Sequence, residues 1–253
     1  MHEFLSSYNI SGYEWVIAGI CGILIGVSKT GISGAGLAVV PILASIFGGK
    51  PSTGLLLPML IMADVFAVKY YNTHAEWRHV LRLLPWAAVG IVIALFVGKS
   101  ISGKVFNDIL AITVLIGVIL MVYKDIQGDY GKIPQHVSFA IITGIMGGFA
   151  TMIGNAAGPI MALYLLSMRL PKNNFIGTGA WFFFIINVSK VPLHIWSWKT
   201  INLHTLYFDL FLLPAIIFGV VLGIAVVKKI PERLYRIIVI ATTLISAVVL
   251  FVK

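Results

Sequence analysis

What most limits the fold open to this chain is a succession of apolar runs, at about residues 15–28, 35–48, 54–68, 80–98, 105–123, 137–153, 156–168, 175–196, 203–227 and 233–252. A helix rises about 1.5 Å per residue, so roughly 20 apolar residues cross the ~30 Å hydrocarbon layer of a bilayer. The connections are short, and none is long enough to form a soluble domain. Only 11% of the 253 residues are charged, against roughly 25% in a soluble domain. Together these exclude secreted enzymes, nucleic-acid binders and disordered chains, and predict an all-α polytopic membrane protein. The net charge of +9 then reflects basic loops on one membrane face rather than an acidic partner. Residues 1–14 are polar, carry no Lys or Arg and lead directly into the first apolar run, so no cleavable signal is expected. The single Cys21 lies in that run and supports no disulfide framework.

The longest polar connection, Lys124 to His136, divides the chain near its middle and prompts a search for a repeat. Residues 82–124 laid on 211–253 without a gap give 13 identities in 43 positions. They include Leu83-Leu84-Pro85 on Leu212-Leu213-Pro214, Gly90 on Gly219, Lys99 on Lys228 and Thr113 on Thr242. Apolar composition alone would match Leu, Ile and Val, but not this set. Gly22, Gly26 and Gly36 likewise fall on Gly144, Gly148 and Gly158 at one constant offset of 122. The expected organisation is a first repeat over 1–124, a linker over 125–136 and a second repeat over 137–253.

Each half opens with two stretches that are short for spanning helices, flanking Ser28-Lys29-Thr30-Gly31-Ile32-Ser33-Gly34-Ala35-Gly36 in one and Gly154-Asn155-Ala156-Ala157-Gly158-Pro159 in the other. Unpaired backbone cannot face lipid, so such breaks must be buried in protein or line a water-filled cavity. Short, Gly/Pro-interrupted segments at matching places in two halves point to a transporter's binding site. If each pair forms a hairpin followed by three spanning helices, the second half is inverted. One face then carries Lys69, Arg78, Arg82, Lys124, Lys132, Arg169, Lys172, Lys228, Lys229, Arg233 and Arg236, and the other Lys50, Lys99, Lys104, Lys199 and Lys253. That split of 11 to 5 obeys the positive-inside rule with both termini outside, whereas one crossing per broken pair gives 9 to 7 and orients nothing. Hairpins that re-enter and pairs that span fully share this parity. The expected fold is two inverted repeats, each a Gly-rich broken or re-entrant helix pair plus three spanning helices.

Lys29 and Lys190 belong to neither loop set. A lysine at a helix centre costs roughly 2.5–3.5 kcal/mol on insertion scales, so it stays only if paired, hydrated or neutralised. Lys29 sits at the first break beside Thr30 and Gly31, where a half-helix starting near Gly34 to Gly36 would point its N–H groups and positive dipole. The second break offers Thr151, Asn155 and the backbone through Gly158. Lysine, hydroxyls and bare amides together describe a site for a small anion. The alternatives are a Lys29 that snorkels to an interface and glycines that serve only close helix packing. Asp64 is the only acid deep inside a segment; aligning the third elements places it close to Asn187, with Lys190 one turn further on. These three are candidates for coupling or gating, with Asp64 able to pair with a lysine, to take up a proton or to bond a helix kink. Asp108 and Asp209 are expected at interfaces.

Other chemistries find little support. Gly26-Val27-Ser28-Lys29-Thr30 lacks the glycine before the lysine and the βα context of a phosphate loop. The histidines form no ligand pair and no Cys or carboxylate cluster joins them, so no metal and no cofactor is expected. His194 beside Trp196 and Trp198 is expected in an aromatic belt at the membrane surface, and Trp181-Phe182-Phe183-Phe184 is expected to face lipid or to fill the packing. No Ser–His–Asp order can be argued, so an intramembrane enzyme is not expected.

At these motifs the sequence resembles a known family. Gly26-x-x-Lys29-Thr30-Gly31-x-x-Gly34-x-Gly36 followed by Pro41 resembles the first-half signature of the sulfite exporter TauE/SafE family of permeases. Gly147-Gly148-Phe149 through Asn155-Ala156-Ala157-Gly158-Pro159, with Tyr164-Leu165-Leu166, resembles its second-half signature, and Gly177-Thr178-Gly179-Ala180-Trp181 and Asn187-x-x-Lys190-x-Pro192 resemble a branch of it. Gly34-Ala35-Gly36 stands where Gly-x-Gly-Gly-Gly is commoner. The resemblance implies a multi-pass permease of the inner (plasma) membrane for small sulfur-containing or organic anions such as sulfite, sulfonates or sulfoacetate. The expected partners are that anion, the lipid bilayer and a coupling proton or cation, with no nucleic acid. The expected mechanism is a secondary transporter with alternating access, one half rocking against the other around a midplane site. Its rivals are an uncoupled anion channel and a membrane anchor subunit that transports nothing.

Overall fold

The computed structural model describes residues 11–31, 35–100, 105, 108, 112, 136–235 and 237–241. Among them the chain is helical and contains no strand. Helix α1 spans Gly12–Thr30, a 3-10 turn Ala35–Ala38 leads into α2 (Val39–Phe47), and Gly48 joins it to α3 (Gly49–Tyr71). A 3-10 turn, Asn72–His74, precedes α4 (Trp77–Ser100). The second half supplies α5 (Val137–Gly154), α6 (Gly158–Ser167), α7 (Lys172–Pro192), a π-helical turn Leu193–Ser197, and α8 (Leu203–Lys229). Residues 232–235 and 237–241 are helical again. The expected span at 105–123, the linker at 125–136 and the end of the expected span at 233–252 lie largely outside the described residues.

Six of these helices are long and apolar enough to cross a membrane: α1, α3 with its trailing turn, α4, α5, α7 with its π-helical turn, and α8. The outward faces of α4 and α8 carry Leu81, Val89, Val92, Phe96, Leu210, Phe218 and Val221, all exposed, as lipid-facing surfaces require. The broken pairs differ from expectation in one respect. Their first members are not short, because α1 has 19 residues and α5 has 18. In α1 the added length comes at both ends. The Glu14 carboxylate accepts from the Ser11 N–H at 2.6 Å and the Ser11 hydroxyl at 2.7 Å, starting the helix early. At the other end Thr30 stays helical by donating back to the Gly26 carbonyl at 2.8 Å. Only α2 and α6, with 9 and 10 residues, are too short to span alone.

The tightest packing joins helices from different halves of the sequence: α1 crosses α8, and α4 crosses α5. Both crossings are made by glycine. A methyl group on Gly26 would strike the Ile216 carbonyl, and one on Gly219 the Ile23 carbonyl. In the other pair, Gly148 would strike the Ala87 carbonyl and Gly90 the Ile145 carbonyl. Adding 122 to residues 23 and 26 gives 145 and 148; adding 129 to 87 and 90 gives 216 and 219. The two crossings thus use glycine contacts at the spacings of the expected repeat. Between these pairs lies α3, the most enclosed of the spanning helices, packed along α7.

Charged residues collect at the two ends of the bundle. At one end Lys50 donates to the Gly98 carbonyl at 3.0 Å, next in sequence to Lys99, and lies 5.0 Å over the ring of Trp198, next in sequence to Lys199. At the other, Lys172 donates to the carbonyls of Val227 and Ile230 at 2.9 and 2.7 Å, Asn174 donates to Glu76 at 2.7 Å, and Lys228 lies 5.3 Å over Tyr70. The grouping of Lys69, Arg78, Lys172, Lys228 and Lys229 is the one that the loop charges predict.

Candidate functional site

The site begins with how the fold accommodates its buried charges. Lys29, in the last turn of α1, forms an ion pair of 2.8 Å with Asp64 of α3. Asp64 is fully buried, while the Lys29 side chain keeps 11% exposure and lies 4.3 Å over the Phe183 ring of α7. The ammonium is therefore held by a carboxylate and an aromatic face together. The other Asp64 oxygen accepts from the Asn187 side chain of α7 at 2.7 Å. Asp64 and Asn187, which the sequence comparison of the third elements sets close to one another, are thus in direct contact between α3 and α7.

Lys190 is fully buried one turn beyond Asn187 and has no acid partner among the described residues. Its three N–H groups donate to the Thr151 carbonyl at 2.9 Å, the Thr151 hydroxyl at 2.8 Å and the Asn155 side-chain oxygen at 2.7 Å. All of its donors are thereby used. Asn155 ends α5 in a left-handed conformation, φ 55°, suited to a helix C-cap, and donates in turn to the Thr53 carbonyl of α3 at 3.0 Å. The second break is thus tied to α3 and α7.

Between the two breaks lies a cavity of about 800 Å³, its open mouth included. One end is polar, lined by Ser28, Lys29, Gly36, Thr151, Asn155, Gly158 and Asn187. The remainder is apolar, lined by Leu56 and Leu60 of α3, Met161, Ala162 and Leu165 of α6, and Phe175, Ile176, Gly179, Ala180 and Phe183 of α7. A concave, mainly apolar space with a few convergent polar groups is the usual form of a small-molecule site. Here the polar end carries one accessible cation.

The residues singled out in the sequence divide into three groups. Lys29, Gly36, Thr151, Asn155, Gly158 and Asn187 line the cavity. Asp64 and Lys190 stand directly behind it, bonded to residues that do. Thr30 and Gly31 are turned into a joint with other helices. The Thr30 hydroxyl reaches the Val220 carbonyl at 3.1 Å, and the carbonyls of Thr30 and Gly31 accept from the hydroxyls of Tyr71 and Tyr235 at 3.0 and 3.1 Å. Gly34 lies outside the described residues.

Two expectations, for His194 and Phe183, need correction. His194 is not in a surface belt: it is fully buried, its Nδ1 2.8 Å from the Thr200 hydroxyl, because the π-helical turn carries it inward while Trp196 stays 76% exposed. Asp209 is fully buried on the face of α8 that carries Leu212 and Ile216, and among the described residues neither carboxylate oxygen has a hydrogen-bond partner. Phe183, expected as bulk or lipid contact, lines the cavity and covers Lys29. Nothing in a run of four aromatics tells which one faces a cation. Asp108 is exposed.

No curated protein and no solved structure matches the chain. The sequence model of the sulfite exporter TauE/SafE family matches residues 18–250, a stretch that takes in both breaks, the Lys29–Asp64 pair and every residue lining the cavity. Over nearly its whole length, then, this chain is a member of the TauE/SafE family of multi-pass membrane permeases.

Proposed function

We propose that the protein is a secondary transporter of small sulfur-containing or organic anions, such as sulfite or sulfonates, that binds its substrate in the cavity between the two helix breaks. The observation carrying this reading is the single accessible ammonium, Lys29, at the polar end of a cavity that both breaks line. Lys29 supplies charge, Ser28, Thr151, Asn155 and Asn187 supply hydrogen bonds, and Gly36 and Gly158 let the substrate approach backbone. Asp64, Asn187 and Lys190 form the coupling and gating network. The matching crossings support two repeats, 1–124 and 137–253, inverted with respect to one another, and the charge grouping supports an inner-membrane orientation with both termini outside.

Alternating access follows from the same architecture, with a change in what moves. Rocking of one sequence half against the other would separate the backbones that Gly26, Gly90, Gly148 and Gly219 bring together. The moving bodies are instead the crossed pairs, α1 with α8 and α4 with α5, turning about α3 and α7.

Reconstituted into liposomes, the protein takes up sulfite or ethanesulfonate, and Lys29→Ala lowers apparent affinity by tenfold or more, as loss of a charge-assisted hydrogen bond of about 1.5–3 kcal/mol requires. Unchanged uptake in Lys29→Ala removes the charge assignment. Flux that ignores every ion gradient favours an uncoupled channel.

A further inference from the structure

The Lys29–Asp64 pair sets a condition on substrate binding. Lys29 lines the cavity; Asp64, fully buried behind it, does not. One Asp64 oxygen is held by Asn187, and the other, Oδ1, has Lys29 as its sole partner among the described residues. An anion that takes the Lys29 ammonium for itself leaves that oxygen charged and unpaired. A buried charge stripped of its partner costs several kcal/mol. Among the described residues the other cation acting on Asp64 is Lys190, whose three donors are committed to Thr151 and Asn155, and no acid or histidine acts on it from any helix packed against α3.

We infer that the substrate anion binds together with a proton, which enters from the cavity water and is carried on Oδ1 of Asp64, so that transport is anion–proton symport. The inference rests on the transporter reading above and adds the coupling ion, its location and its direction. The charge balance is simple. Without substrate the pair is Lys29 ammonium and Asp64 carboxylate, net zero. With a monoanion bound it is ammonium, substrate anion and neutral carboxylic acid, again net zero. Both forms can cross the low-dielectric interior without carrying net charge, whereas an anion bound without the proton would add a buried negative charge. Once protonated, Oδ1 is neutral and no longer requires the Lys29 ammonium, which is left to the bound anion, while Asn187 continues to donate to Oδ2. Anion and proton therefore strengthen each other's binding by the same factor.

Ethanesulfonate tests this well, since its own charge is constant from pH 5 to pH 9. With purified wild-type protein in weakly buffered solution, binding is expected to take up one proton per anion. Apparent affinity is expected to fall by up to about tenfold per pH unit on the alkaline side. In liposomes, uptake follows a pH gradient and is unmoved by a potassium–valinomycin potential. In Asp64→Asn, which mimics the neutral acid, binding becomes independent of pH and uptake driven by the pH gradient is lost. Binding without proton uptake, or transport driven by potential alone, overturns the symport inference and leaves the transporter reading standing. Absence of any ethanesulfonate binding overturns both. The proton count uses wild-type protein, so it decides the matter even if Asp64→Asn fails to fold.

Discussion

Lys29 and Lys190 show how the same side chain can be accommodated in two ways inside one membrane protein. Lys29 is neutralised by a carboxylate and stays in reach of the cavity; Lys190 is held by three neutral oxygens and is sealed off. Lys29→Met leaves Asp64 buried and unpaired, at an expected cost of about 3–5 kcal/mol in stability. Lys29→Met combined with Asp64→Asn removes both charges and should recover most of it, a comparison that thermal unfolding in detergent can make. Lys29 and Asp64 each stood out in the sequence because charges are scarce in apolar runs and each must be explained, but which lysine Asp64 takes is seen only in the fold. The burial of His194 and Asp209 was not legible there. Sequence position marks a residue as near a segment end, but a π-helical turn or a neighbouring helix decides whether that end is covered.

At the scale of elements, the two crossings make the sharpest demand on sequence. Gly148→Val drives a side chain into the Ala87 backbone, and Gly26→Val, at the matching position, does the same at Ile216. Both should therefore lower the yield of folded protein and the unfolding temperature to a similar extent, as overpacking against backbone does. Gly19→Ala, with open space around the added methyl, should be tolerated. A constant offset between glycines marked the positions at which the two crossings form. It could not reveal that the corresponding glycines meet helices of the other half, since a periodic pattern fixes which face of a helix is buried but not against what. The same limit hid the apolar wall of the cavity, whose residues from α3, α6 and α7 look like ordinary packing until the helices are set side by side.

For the molecule as a whole, the segregation of basic residues to the two ends yields a direct topological test. Cys21 is the only cysteine and is fully buried, so a Cys21→Ala background is a clean one for labelling. In intact cells, an impermeant maleimide should modify Lys199→Cys but reach Arg169→Cys only after lysis. The reverse pattern would invert the proposed orientation, and equal labelling would remove it.

The crossed pairing of α1 with α8 and of α4 with α5 also bears on how the chain comes to be assembled. As synthesis proceeds, α1 enters the bilayer with its glycine face open, and the helix that fits it emerges only after residue 203. The joint between α4 and α5 closes earlier, once residue 154 has been made. Neither half can finish its own packing alone, because each supplies one side of both joints. Separately expressed halves should thus be short-lived in the cell and should rescue one another when made together, each serving as the template on which the other completes its fold.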